Sequence, residues 1–207
     1  MKKYVFLLLM SVFALATQAQ KVKLAEGKLD FLKGQEVIKL KFTYDKNMKL
    51  GKQKFEDYIS KKVNDKNKKN PGSGDEWKQK LTADFDTAFP HYFSRMFNIM
   101  MKKQDVKLDT EADDAPYTMI VNTIYIEPGY NIGIKSKRAQ ADMEVFIVKK
   151  DDPEKTLAKF NITKSPGSSA FGPNYSFTDR VGGCYENAAS RLAGYFLQKK
   201  TFKKKKK

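Results

Sequence analysis

The sequence predicts an α+β fold: one two-layer domain with a mostly antiparallel sheet and helices packed on one of its faces. Three observations carry that prediction. Apolar residues recur at every second position over 36–44, at every third or fourth over 52–101, at every second again over 117–164, and at every third or fourth over 181–196. No internal repeat, interdomain linker or heptad run divides the 207 residues. A single cysteine, Cys184, rules out an intramolecular disulfide framework, so stability has to come from an apolar core, for which 13% aromatic residues supply bulk.

The elements follow in order. EVIKLKFTY, 36–44, sets Ile38, Leu40 and Phe42 against Lys39, Lys41 and Thr43, the alternation of a half-buried strand. Phe55, Ile59 and Val63 lie four apart and predict a helix over 52–65, which runs into the loop KNKKNPGSG. Ser73 with Glu76 three residues on predicts a capping box, with Asp75 and Glu76 at the positive end of the helix dipole. Trp77, Leu81, Phe85, Ala88, Tyr92, Met96 and Met100 continue as one stripe. Pro90 predicts a kink near Ala88 or a restart with the proline in the first turn.

YTMIVNTIYI, 117–126, is apolar on both faces and reads as an interior strand. Residues 139–164 predict a hairpin, because AQADMEVFIVKK and TLAKFNIT flank the turn residues DDPE. SPGSSAFGPNYSF reads as a long loop. Val181, Tyr185, Ala188, Leu192 and Phe196 then trace a closing amphipathic helix with Thr178 or Asp179 as its cap.

MKKYVFLLLMSVFALATQAQ has two lysines, an apolar run from Val5 to Ala16 and small residues at Thr17 and Ala19, the pattern of a secretory signal over 1–19 with the mature chain starting near Gln20. An uncleaved anchor is the alternative. The run is short for crossing ~30 Å of hydrocarbon, and no cysteine stands near the cut to carry a lipid. Export changes what the net charge of +16 means. In the cytosol it would suggest nucleic acid; outside it the available anions are phospholipid and lipopolysaccharide head groups, acidic glycans and proteins, so no nucleic-acid partner is expected. Residues 20–198 are read as the domain and 199–207 as a polybasic, disordered tail that offers Lys199, Lys200, Lys203, Lys204, Lys205, Lys206 and Lys207 as candidate anion contacts.

No catalytic set, metal site or cofactor motif stands out. His91 and Cys184 are the only residues of their kinds and read as an exposed helix position and a packed side chain. The acid pairs Asp113 with Asp114 and Asp151 with Asp152 lie in turns, and neighbouring acids do not make a pair with separated pKa values across a cleft. DTEADD lacks the spacing of a calcium loop, and EPGYNIG fits neither nucleotide fingerprint. Two loops combine aromatics with glycine, 128–138 and 171–177, and give Tyr130, Arg138, Phe171, Tyr175 and Phe177 as candidate partner contacts. The alternative is that they fold back over the sheet.

The run YTMIVNTIYIEPGY, AQADMEVFIVKKDDPEKTLAKFNITKSPG and GGCYENAASRLAGYFLQK resembles exported bacterial domains of unknown function and the N-terminal domain of TolB with related envelope lipoprotein domains, over about 36–198. The resemblance implies a non-catalytic envelope interaction module and transfers no site residue. This chain departs from it in lacking the lipoprotein cysteine and in its long helical region over 52–101. A protein-interaction module is the function expected, with an unidentified envelope protein as partner; binding of an anionic membrane or glycan surface through the tail is the alternative.

Overall fold

The structure, a computed structural model, describes residues 20–131, 135–167 and 176–203. Its larger sheet is built from β1 (Lys21–Gly27), β2 (Val37–Leu50), β3 (Gln53–Lys54), β4 (Lys107–Asp109), β5 (Tyr117–Glu127), β8 (Gln140–Lys149) and β9 (Asp152–Pro166). The order is β1-β9-β8-β5-β2-β3, with β4 also on β2. Two short strands, β6 (Tyr130–Asn131) and β7 (Ser136–Lys137), form a separate ribbon. The helices are α1 (Phe55–Lys69), α2 (Ser73–Ala83), α3 (Phe89–Met101) and α4 (Phe177–Gln198).

The sheet is mostly antiparallel, with a parallel joint where β2 meets β5 and β4. The joint has a plain cause: parallel neighbours need a long crossover, and α1, α2 and α3 all lie between β2 and β5. The predicted hairpin is the pair β8 and β9, and β5 is interior, flanked by β8 and β2. Along β8, Ala141, Met143, Val145 and Ile147 are buried under the helices, whereas Asp142, Glu144 and Phe146 on the other face are half-buried. Lys159 spans that open face, paired with Glu144 at 2.8 Å and 5.1 Å from the centre of the Phe146 ring.

Several boundaries move for identifiable reasons. β2 continues past residue 44 across a register shift between Tyr44 and Lys49. α1 starts at Phe55 because Gly51, at φ 63°, turns the chain so that Gln53 and Lys54 pair back on Leu50 and Lys49. The capping box at Ser73 does not form. Ser73 Oγ donates to the carbonyls of Lys66 and Asn70 instead, and Asn67 of α1 accepts from the Gly74 amide at 2.7 Å. Gly74 has to be glycine for this approach, since a Cβ there would stand 2.3 Å from the Val63 carbonyl oxygen. Pro90 lies in the first turn of α3, directly after a π-helical turn over Asp84–Ala88 in which the Phe89 amide reaches the Asp84 carbonyl. The cap of α4 is Ser176, which accepts from the Asp179 amide at 3.0 Å; Thr178 donates to Asp84 instead.

β1 was not expected from the sequence. Its Val22 and Leu24 pack against the core while Lys21 and Lys23 face water, and its ladder to β9 makes it the edge of the sheet.

The packed chain also runs past residue 198, where the sequence reading ended the domain. Thr201 and Phe202 are 5% and 6% exposed. Lys200 adopts φ 52°, so the Thr201 amide reaches the Phe196 carbonyl, Phe202 lands 5.4 Å from the Phe196 ring, and the Gly34 amide donates to the Phe202 carbonyl. A lysine in the left-handed region is strained where glycine is not. Lys200→Gly is expected to raise stability by about 0.5–1 kcal/mol, read as a higher urea midpoint at unchanged m-value.

Candidate anion-binding cleft

Thirty-six lysines and four arginines make up the basic residues, and the four arginines divide evenly in their use. Arg95 pairs with Glu186 across α3 and α4, and Arg180 Nε donates to the Pro128 carbonyl at 3.1 Å, tying the β6–β7 ribbon to α4. Arg138 and Arg191 are exposed and, among the described residues, have neither an ion pair nor a hydrogen bond. Both line one cleft of about 370 Å³, and Lys164, Gln20, Gln140 and Asn187 complete its polar wall. Among the described residues no carboxylate lines it.

Each wall residue is placed by a specific local feature. Ala141 pairs with Ser165 but Met143 with Ile162, so β9 carries one residue more than β8 at this point. The extra residue bends the strand, and Lys164 takes φ 57°, with its amide donating to Asp142 Oδ1 at 2.6 Å. A bulge of this type re-aims the strand, and Lys164 at the bulge lines the cleft. Arg138 follows β7 directly. The ribbon ahead of it folds back tightly at Gly129, φ 66°, where a Cβ would stand 2.6 Å from the Ala139 amide nitrogen. On α4, Asn187 donates to the carbonyls of Pro166 and Gly183, and Arg191 stands one turn further along the helix. Gln20 is held by Ser165, whose hydroxyl in turn donates to the Cys184 carbonyl.

The sequence candidates are distributed unevenly around this cleft. Arg138 lines it. Tyr130 is 44% exposed on the ribbon and pairs with Lys137, the residue before Arg138. Phe177 is half-buried, its ring 6.3 Å from Phe89, so it belongs to the core and not to an open contact surface. Lys199, Lys200 and Lys203 are exposed at the end of α4. Phe171, Tyr175 and Lys204 to Lys207 lie outside the described residues. The sequence reading missed Lys164, Arg191, Gln20 and Asn187. Scarcity of arginine in a lysine-rich chain was the one signal that could have drawn attention to Arg191.

Other features offer less chemistry. Cys184 is buried, and desolvation pushes its thiol well above the usual range, which suppresses the nucleophilic thiolate. His91 is exposed on α3. Among the described residues no three His, Cys, Asp or Glu side chains converge as a metal group, and no helix is long and apolar enough to cross a membrane. A pocket of about 300 Å³ between β2, α1 and α2 has an apolar floor of Met48, Phe55, Ile59 and Leu81, with Tyr44, Glu56, Lys78 and Thr82 also in its lining.

The fold and cleft together define a two-layer α+β domain with a basic, acid-free recess at one end of its sheet. No family model matches the chain, and no curated protein matches it. Among solved structures it is similar to the PelC dodecamer from Paraburkholderia phytofirmans, at 10% identity and a TM-score of 0.37, over 82% of this chain and 97% of that one. A substituted PelC dodecamer from the same organism gives 10% identity and a TM-score of 0.37 over 84% and 99%. Neither is a TolB-like domain, and likeness at this level carries no argument about assembly or activity.

Proposed function

We propose that this protein is an exported, non-catalytic interaction module of the cell envelope whose working surface is basic and whose counterpart is anionic. The observation that supports this reading most is the pair of exposed arginines, Arg138 and Arg191, which among the described residues have no partner and line a cleft with no carboxylate in its wall. The lysines that follow α4 supply a second, less specific attraction. Near an anionic bilayer each contributes about 1 kcal/mol, screened over about 8 Å at physiological salt.

The test is co-sedimentation of residues 20–207 with vesicles of phosphatidylglycerol or of phosphatidylcholine alone. The comparison chain stops after Phe202 and not after Gln198, because Phe202 is part of the core. Pelleting is expected with the anionic vesicles only, to fall between ~0.05 and ~0.15 M salt, and to fall further in the shorter chain. Equal pelleting with both lipids overturns the reading.

A second reading, docking on another envelope protein, is favoured by Tyr130, an aromatic ring 44% exposed two strand positions from the cleft. On that reading Tyr130→Ala abolishes recovery of a protein partner from envelope extract and leaves vesicle binding unchanged.

A further inference from the structure

We infer that the cleft between the β9 bulge, the end of the β6–β7 ribbon and α4 is a discrete site for one phosphate monoester carried on a hydroxylated scaffold such as a sugar. The inference rests on the reading of the basic surface as the working one, and it narrows that surface to one group and one ligand chemistry.

Charge is the first argument. Arg138, Lys164 and Arg191 bring three cations to one recess, and its wall holds no acid. Asp142 of β8, whose Oδ1 accepts from the Lys164 amide, does not line the recess. A carboxylate would offset one of the three charges; a phosphate monoester near pH 7 carries about −1.5 to −2 and matches them better. Donor geometry is the second argument. Guanidinium groups present planar forks that bind phosphate oxygens in pairs, and the two arginines of the cleft have no competing partner among the described residues.

Size and the neutral groups are the third argument. A volume of about 370 Å³ lies at the low end of small-molecule sites, about 300–1,000 Å³, and is much larger than one phosphate. The remaining space is bordered by the amides of Gln20, Gln140 and Asn187. Asn187 spends its amide hydrogens on the Pro166 and Gly183 carbonyls and keeps its Oδ1 as an acceptor, while Gln20 and Gln140 keep both donor and acceptor capacity, which suits hydroxyls and not an aliphatic chain.

The same phosphate monoester chemistry can reach the cleft from a soluble sugar phosphate or from a lipid head group, and the experiment separates the two sources. Residues 20–207 are titrated calorimetrically with glucose 6-phosphate, inorganic phosphate, glucuronate and glucose. Expected is saturable one-to-one binding of glucose 6-phosphate, about tenfold tighter than inorganic phosphate or glucuronate, and none of glucose. Arg138→Gln and Arg191→Gln, both at exposed positions, each weaken that binding about tenfold or more. Lys164→Gly is the variant that separates binding from folding: the urea midpoint rises or holds while affinity falls.

Vesicles containing phosphatidic acid, set against phosphatidylglycerol, identify the source. A preference for phosphatidic acid that disappears in Arg191→Gln marks a lipid-borne group, and equal binding of the two lipids marks a soluble one. The inference is overturned if glucose 6-phosphate does not bind, or if it binds all three variants as it binds the parent. Either failure leaves the broader reading standing as long as anionic vesicles still pellet the chain through its terminal lysines.

Discussion

Phe196→Ala is expected to lower the free energy of unfolding by about 3–5 kcal/mol, the range for removing a large aromatic side chain from a packed core. Phe196 is 1% exposed and is the point where four other rings meet: Phe97 at 6.1 Å, Phe160 at 5.5 Å, Tyr195 at 6.4 Å and Phe202 at 5.4 Å. These neighbours come from α3, β9, α4 and the segment after α4, so the void left by truncation borders three separate pieces of chain that cannot all relax into it. Edge-to-face geometry adds about 0.5–1.5 kcal/mol per aromatic pair beyond burial. In a domain of this size the loss corresponds to a fall in Tm of about 10 °C. Ile99→Ala on α3 is the control. Ile99 is 58% exposed, and its truncation should change stability by less than about 0.5 kcal/mol in a urea titration. A Phe196→Ala protein within 1 kcal/mol of the parent would mean that the aromatic cluster does not pack as described.

The fold was legible wherever burial alone dictates the period. Ile38 and Leu40, Met119 and Val121, Met143, Val145 and Ile147, and Val181, Tyr185, Ala188, Leu192 and Phe196 are all buried, and each set had announced its element by spacing. What failed to show was whatever depends on a partner distant in sequence. Ser73 looks like a cap by its local pattern, but Asn67 of the preceding helix supplies the acceptor first, so the serine turns to other carbonyls. β1 pairs with β9 only, and its short, lysine-rich stretch does not declare itself. Phe202 sits inside what reads as a solvated lysine tract, and only the left-handed turn at Lys200 brings it back to the core.

The candidate site divides along the same line. Arg138 was legible because a cation after a glycine- and aromatic-bearing loop is a local pattern. Arg191 was not, since a charged residue off the apolar stripe of a helix looks the same whether it faces open solvent or a recess. Lys164 required the register between β8 and β9, where one surplus residue redirects the strand. The lysine tract at the end of the chain dominates the sequence by count, whereas the two unpartnered arginines, few and far apart in sequence, become conspicuous only once folded. Number of charges and convergence of charges are different properties, and only the first can be read from a string of residues.

Alkaline pH should unfold this protein more steeply than its lysine content suggests. Burial raises the phenol of Tyr185, fully enclosed with its hydroxyl 2.8 Å from Thr123 Oγ1, and that of Tyr44, whose hydroxyl donates to the Phe85 carbonyl at 2.5 Å. It raises the buried Cys184 thiol as well. In the unfolded chain tyrosine titrates near pH 10 and cysteine near 8.5, so above those values the unfolded state holds fewer protons than the folded one. Stability is therefore present in full below the unfolded pKa values and falls as pH rises toward the folded ones, by about 1.4 kcal/mol per pH unit for each group once it is fully engaged. The unfolding free energy from urea titrations is expected to decline gently above about pH 9 as Cys184 contributes, and then by at least about 4 kcal/mol per unit above about pH 10.5 when these two phenols join it, with smaller parts from Tyr58, Tyr92 and Tyr125, which burial also raises. Deprotonating lysines in a chain of net charge +16 relieves self-repulsion and acts in the opposite sense, except at Lys137, whose pairing with Glu127 raises its ammonium and adds a small part to the decline. Tyr185→Phe makes the attribution specific. It leaves the Thr123 hydroxyl buried without its partner, a pH-independent cost of about 1–3 kcal/mol, while removing about 1.4 kcal/mol per pH unit from the alkaline slope. An unchanged slope in Tyr185→Phe would refute the assignment of that slope to the buried phenols.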